Sequence, residues 1–290
     1  MKISDYWARD VGTAVNPEGF SHRLVCWFGS NESSEHAKLG ASKKLADWKN
    51  RFSKGESLID EYPYDTNGIR EAVIRKINDE NGSLIGAITR NRYGAEVLNA
   101  HQVMFIDVDE PFVNPPGFFS RIFSAFNKKS EEPEQTDAIN QTLLKNFKEF
   151  QKNKPDLSFR VYKTAAGFRL VVLNQLIDPL STLSDDILKS LESDQLYQYL
   201  CKNQVCFRAR LTPKPWRCKH KRPPNHFPRE NDEQEQLFDQ WLNEYEKKST
   251  RYSVCTLIET LGDAPINPTV EKILKIHDEY VLDSSNKVLA

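Results

Sequence analysis

The sequence predicts an α+β fold with a split βαβ core and a mainly antiparallel sheet, and three observations carry that expectation. From Val103 onward, short apolar runs and longer helical patterns follow in the order strand, helix, strand, strand, helix, strand. The middle two strands flank the small-residue turn Ala165-Ala166-Gly167 and read as a hairpin. Further short strands and helices lie on either side, and these are expected as N- and C-terminal α/β additions. The chain then divides into an N-terminal region over 1–100 packed on the core, a core over 101–212, and a basic segment with a helical extension over 213–290, all within one globule.

The elements are read in order. Arg23 to Phe28 is a strand and Ser34 to Phe52 a surface helix. Gly68 to Asn78 places Ile69, Val73, Ile74 and Ile77 on one helical stripe, and after the turn Asn81-Gly82 a strand follows over Leu84 to Thr89. Val103 to Glu110 opens the core as a strand, and Pro111, Pro115, Pro116 and Gly117 then turn the chain. Aromatics from Phe118 to Phe126 fall at helical spacing, expected as a helix packed on the sheet, with a membrane- or partner-binding helix as the alternative. Lys128 to Thr136 reads as an exposed loop. Asp137 to Lys152 sets Ile139, Leu143, Leu144, Phe147 and Phe150 on one helix face, and Leu157 to Lys163 and Phe168 to Leu173 are the hairpin strands. Leu183 to Leu200 holds one or two helices with Ser184 and Ser193 as N-caps, and Val205 to Leu211 is the last core strand. A helix over Glu233 to Lys248, a strand over Tyr252 to Leu257 and a helix over Val270 to Asp278 complete the chain.

Composition sets outer bounds on function. The 290 residues are 39% hydrophobic and 28% charged, ordinary for a globular protein. Lys and Arg total 40 against 41 Asp and Glu, so the net charge of −1 carries no global footprint of a nucleic-acid binder and any such footprint is local. No apolar run approaches the roughly eighteen residues of a membrane span, and Met1 to Tyr6 lacks the apolar core of a signal peptide, so a cytoplasmic location without a membrane partner is expected. The five cysteines, Cys26, Cys201, Cys206, Cys218 and Cys255, are odd in number and scattered, which fits reduced thiols better than a disulfide framework.

The residues with chemical potential begin with Asp107 and Asp109 at the end of the first core strand. Alternate side chains of a strand share a face, which sets these carboxylates roughly 7 Å apart and aimed alike, a placement suited to Mg²⁺ or Mn²⁺. The plainer alternative is an acidic strand exit into solvent. At the hairpin, Lys163 and Arg169 flank Thr164 and Gly167, so small residues would let a phosphate approach the backbone between two cations; an ordinary hairpin turn with solvated charges is the alternative. The stretch Cys201 to Arg222 carries Lys202, Arg208, Arg210, Lys214, Arg217, Lys219, Lys221 and Arg222 without an acidic residue, interleaved with Phe207 and Trp216. Arg208, Arg210 and Arg217 are the candidates for holding phosphate or a nucleic-acid strand, against the alternative of a solvated basic edge. Cys201, Cys206, Cys218 and His220 lack the tight spacing of a zinc site, and no Walker-type loop or nucleophile elbow is present.

Taken in order, Phe105-Ile106-Asp107-Val108-Asp109 followed by Thr164-Ala165-Ala166-Gly167-Phe168-Arg169 resembles the catalytic core of the archaeo-eukaryotic primase superfamily, the primase-polymerases. The likeness covers Val103 to Leu211, about a third of the chain, and implies an RRM/ferredoxin-like palm with Asp107 and Asp109 as metal ligands and catalytic residues. Arg169 stands where that family has histidine, and the third acidic residue is sought in Asp194 or Asp263. The resemblance implies a Mg²⁺- or Mn²⁺-dependent nucleotidyltransferase acting on nucleotides or single-stranded nucleic acid. Two alternatives stand beside it: a non-catalytic nucleic-acid-binding module on the same fold, and a metal-dependent nuclease.

Overall fold

The computed structural model describes residues 1–57, 68–111, 133–282 and 287–290, with 133–136 described in backbone only. Its fold is α+β with antiparallel sheets. The first sheet has the order β11-β7-β8-β6, formed by β6 (Phe105–Asp109), β7 (Phe159–Thr164), β8 (Gly167–Val172) and β11 (Cys255–Leu261). The second has the order β3-β4-β5-β9, formed by β3 (Ala72–Asn78), β4 (Leu84–Arg90), β5 (Glu96–Ala100) and β9 (Phe207–Arg210). A long hairpin of β1 (Tyr6–Val15) and β2 (Ser21–Ser30) carries α1 (Ser34–Ser53) against it. A short parallel pair joins β10 (Tyr252–Ser253) to β12 (Val288–Leu289).

The inner strand β8 of the first sheet is buried on both faces. Phe159, Phe168 and Leu170 alternate along their strands toward α2 (Pro133–Asn153), where Phe147 meets Phe168 at 5.5 Å and Phe150 meets Phe159 at 6.0 Å. On the other face α6 (Pro268–Val281) brings His277 within 5.2 Å of Phe105 and 5.0 Å of Tyr162, ring centre to ring centre. The same helix reaches the second sheet through Ile273, whose Cδ1 would lie 3.0 Å from a Cβ placed on Gly86. One hydrophobic core runs through both sheets and includes Ile88, Leu98, Phe105, Leu170, Phe207 and Ile273.

Several expectations are corrected. The stretch read as a helix from Gly68 to Asn78 contains strand β3, because its solvent face and its cross-strand partners on β4 outweigh the helical spacing of four apolar residues. The region from Leu183 to Leu200 holds two helices, α3 (Thr182–Ser190) and α4 (Gln195–Gln204), but the caps are Ser181 and Asp194 rather than Ser184 and Ser193. Residues 133–136 belong to α2, not to a loop, while 128–132 and the aromatic stretch Phe118 to Phe126 lie outside the described residues.

The largest correction concerns β9, which does not pair with β6 in the first sheet. It pairs with β5, setting Arg210 opposite Val97 and Arg208 opposite Asn99. The outer edge of β6 is already occupied: Tyr197 Oη donates to Phe105 O at 2.6 Å, and Ser193 Oγ and Asp194 N donate to Asp107 O at 2.8 and 3.2 Å. With those carbonyls satisfied by the start of α4, the edge has no ladder to offer a further strand.

Candidate functional site

β6 delivers Asp107 and Asp109 to one face, with Ile106 and Val108 buried on the other. Opposite Asp107 in register stands Arg169 of β8. Its Nε donates to Asp107 Oδ1 at 2.9 Å, and Arg169 is 1% exposed where Asp107 is 34% exposed. Burial works against the guanidinium's charge, but the adjacent carboxylate outweighs it and holds the pKa above the usual arginine value. Arg169 Nη1 also donates to Arg210 O at 2.9 Å and to His277 Nε2 at 3.3 Å. A guanidinium has no acceptor, so Nε2 accepts and the imidazole proton sits on Nδ1, donating to Asp278 Oδ1 at 2.9 Å. Burial, reinforced by Arg169, lowers the His277 pKa to about 4 against the pull of Asp278. Asp278 in turn accepts from Tyr162 Oη at 2.7 Å and Arg160 Nη1 at 2.6 Å. A buried chain of polar contacts therefore runs from α6 to Asp107.

Asp109 has a different setting. The residue as a whole is exposed, yet its carboxyl is crowded enough to be pushed up to about 6, by burial first and then by Asp194 and Asp107, with Lys214 and Arg210 opposing. Water reaches the group and screens part of that push. Asp194 is the N-cap of α4, accepting from Tyr197 N at 2.8 Å. Of the two carboxylates considered for the third acidic position, Asp194 joins the pair, whereas Asp263 is exposed beyond β11 and is not among the charges acting on Asp109.

Facing these carboxylates are three cations. Arg210 is lowered to about 10 by burial and by Arg169, with Asp107 opposing, and its Nε is buried without a hydrogen-bond partner. Lys214 is lowered to about 7 by burial, Arg210 and Arg217, against Asp109 and Asp107. Arg217 is lowered by burial, against Asp109 and Glu110. None of the three forms an ion pair among the described residues. Of the three, Arg210 lines a cavity of about 370 Å³, together with Asp107, Tyr197, Arg208, Arg90 and Tyr93, whereas Lys214, Arg217 and Asp109 lie outside its lining.

The remaining sequence candidates are held in other contacts. Lys163 Nζ donates to Glu110 Oε1 at 2.6 Å and to the carbonyls of Gly167 and Thr164 at 3.1 and 3.2 Å, so it straps the hairpin to the end of β6. Thr164 Oγ1 accepts a long 3.4 Å contact from Ala166 N. A Cβ on Gly167 would meet Val108 O at 2.0 Å, so the space left by this glycine is filled by β6 backbone and not kept open for a phosphate. Arg208 Nη2 forks onto both oxygens of Glu71 at 2.7 Å. Sequence reasoning passed over Lys214 as a ligand, although its place between Pro213 and Pro215 was visible; Glu71, His277 and Asp278 carry no local signal, because their partners lie far along the chain.

Among the described residues no group of three or more His, Cys, Asp or Glu side chains is disposed to hold a metal, and the five cysteines are buried and form no disulfide with one another. Mg²⁺ needs less than such a cage, because it binds through one or two carboxylates, waters and substrate phosphates. Asp107 and Asp109 are the side chains that could hold an ion in that smaller way, with Asp107 Oδ1 already engaged by Arg169. Among the described residues no helix is long and apolar enough to cross a membrane. Comparison with protein-family models, with curated proteins and with solved structures finds no match to this chain.

Proposed function

We propose that the cleft beside β6 binds the phosphates of a nucleotide and serves metal-dependent nucleotidyl transfer, in a protein whose β6, β7 and β8 resemble part of a primase-polymerase palm, the last strand of that pattern, β9, being paired in the other sheet. One observation carries this reading: Asp107 and Arg210 line the same cavity, the buried Nε of Arg210 has no hydrogen-bond partner among the described residues, and the neighbouring Asp109, crowded by Asp194 and Asp107, is opposed by Lys214 and Arg210. Like charges held together on both sides of a cleft are relieved together by a cation on one side and a polyanion on the other, which is the charge pattern of Mg²⁺ or Mn²⁺ with a nucleoside polyphosphate. Asp107 and Asp109 would hold the ion, which supplies neutralisation of developing phosphate charge. Arg210, Lys214 and Arg217 would orient the phosphate chain.

The locked Asp107–Arg169 contact, the use of Asp194 as the N-cap of α4, and the absence among the described residues of a group of three His, Cys, Asp or Glu disposed to hold a metal favour a second reading, a non-catalytic site that binds nucleotide or nucleic acid. Titration of a labelled nucleoside triphosphate with and without Mn²⁺ separates the two. Nucleotidyl transfer expects binding strengthened by Mn²⁺, loss of that gain in Asp109→Asn, and strand extension in product analysis. Shortened strands would instead mark a nuclease. Metal-independent binding unchanged in Asp109→Asn supports the second reading, and absence of binding in every combination removes both.

A further inference from the structure

We infer that the rim of this cleft carries a stacking platform for single-stranded nucleic acid, formed by Tyr93 and Trp216 with Arg92 and Arg222 around them. The two rings meet edge to face, 5.3 Å apart at 90°. The Arg222 guanidinium lies 5.1 Å from the Trp216 ring and 5.5 Å from the Tyr93 ring, Arg92 lies 5.4 Å from Tyr93, and Lys214 Nζ lies 5.7 Å from Trp216. Both rings are half-buried, while Arg92 and Arg222 are exposed.

The rings are set by the fold and not by chance contact of two loops. Gly94, at φ +84°, lets the β4–β5 turn press on α5 (Asp232–Ser249), since a Cβ there would lie 2.1 Å from the Trp241 ring. Trp216 sits in the 3₁₀ turn Pro215–Cys218, tied to the same helix by Tyr245 Oη, which donates to Pro213 O at 2.6 Å. Two aromatic rings are thus held on rigid supports with three cations about them, in a chain whose net charge is −1. Arg92 and Tyr93 also line the cavity that holds Asp107 and Arg210, so the platform continues the cleft outward. A strand whose end lies in the cleft would pass next over Tyr93 and Trp216, with bases stacked on rings and guanidinium planes and phosphates beside the cations. The choice of nucleic acid over other polyanions rests on the nucleotide reading of the cleft.

The test is fluorescence anisotropy of the full chain with a labelled thymidine oligonucleotide of about twelve nucleotides, in chelator, against an abasic oligomer of equal length and charge. Expected is binding of the base-bearing strand about tenfold or more tighter than the abasic one, a preference lost in Trp216→Ala and Tyr93→Ala and kept in Trp216→Phe. Arg222→Glu, at an exposed position, is expected to weaken both oligomers and to flatten the salt dependence. Equal affinity for the two oligomers, an unchanged preference in Trp216→Ala at unchanged melting temperature, or preferential binding of polyglutamate would overturn the inference. Should Trp216→Ala fail to fold, Tyr93→Ala and Arg222→Glu decide it in the same way. Failure of the nucleotide reading shows separately, as loss of Mn²⁺-dependent triphosphate binding in a protein that still prefers the base-bearing strand.

Discussion

Two aspartates separated by one residue on the same strand face opposite energetic situations. Asp107 is the counter-charge of a fully buried guanidinium, so Asp107→Asn strands Arg169 and is expected to cost roughly 3 kcal/mol of stability. Asp109 is repelled by Asp194 and Asp107, so Asp109→Asn relieves a charge that the fold holds unwillingly and is expected to leave stability equal or higher. Urea denaturation of both variants checks the pair, and an equal loss in both would contradict this division of roles. It also makes Asp109→Asn the cleaner probe of metal binding. His277 gives a second expectation, with its sign fixed by linkage. Its folded pKa of about 4 lies below the usual 6.5, so between those values the unfolded chain binds more protons and acid destabilises the native state. The loss accrues as pH falls from 6.5 to 4 and is on the order of 3 kcal/mol when complete. His277→Gln, whose amide can accept from Arg169 and donate to Asp278, should remove that share of acid sensitivity. Denaturant midpoints at pH 7.5 and 5 for both proteins measure it.

At the scale of elements, the site depends on how closely β8 approaches β6. Gly167 has φ +156° and backs directly on Val108 O and Asp109 Cα, so Gly167→Ala must part the two strands where the carboxylates are displayed. A loss of about 3 kcal/mol or more is expected, with weakened Mn²⁺ binding if the pair holds metal; retention of wild-type stability in a thermal melt would show that the hairpin yields more easily than this contact implies. The hairpin was legible in the sequence because its signals are local: alternating apolar residues, a two-residue turn and a glycine. So were α1, α2, α5 and α6, whose apolar periodicity spans several turns. The helix misread at Gly68 to Asn78 shows the limit, since four apolar residues fit both periods and only pairing with β4 decides between them. The destination of β9 was hidden for a related reason. Nothing within Phe207–Arg210 states that the edge of β6 is covered by Tyr197, Ser193 and Asp194, or that β5 waits with a free edge.

The whole molecule places two sheets so that the acidic end of one meets the basic strand of the other, which is why a chain with 40 basic and 41 acidic residues carries a sharply polar cleft. Arg169 fastens that junction from the first sheet, donating to Asp107 on its own side and to Arg210 O across the gap. The acidic pair and the basic stretch were each visible in sequence, but their confrontation is a product of the fold, and so is the titration it creates. Lys214, at about 7, is partly uncharged near neutrality because burial, Arg210 and Arg217 oppose its proton. An anion bound beside it favours the charged form, so binding takes up a proton and strengthens as pH falls from about 8 toward 7. Metal-free binding of inorganic triphosphate, measured in chelator by calorimetry in two buffers of different ionisation enthalpy, is expected to show that uptake at pH 7.5. Lys214→Arg keeps the charge throughout this range, and should bind the anion with the pH dependence removed. Other nearby groups titrate lower: Asp109 at about 6, and His226, lowered by burial and then by Arg92, below 6.5. Any slope that persists in Lys214→Arg belongs to these groups or to the triphosphate's own last protonation, so the share of Lys214 is the difference between the two proteins. Equal proton uptake at pH 7.5 by the wild type and Lys214→Arg would mean that the anion binds away from Lys214, and the cleft between the sheets would lose its claim to the phosphate.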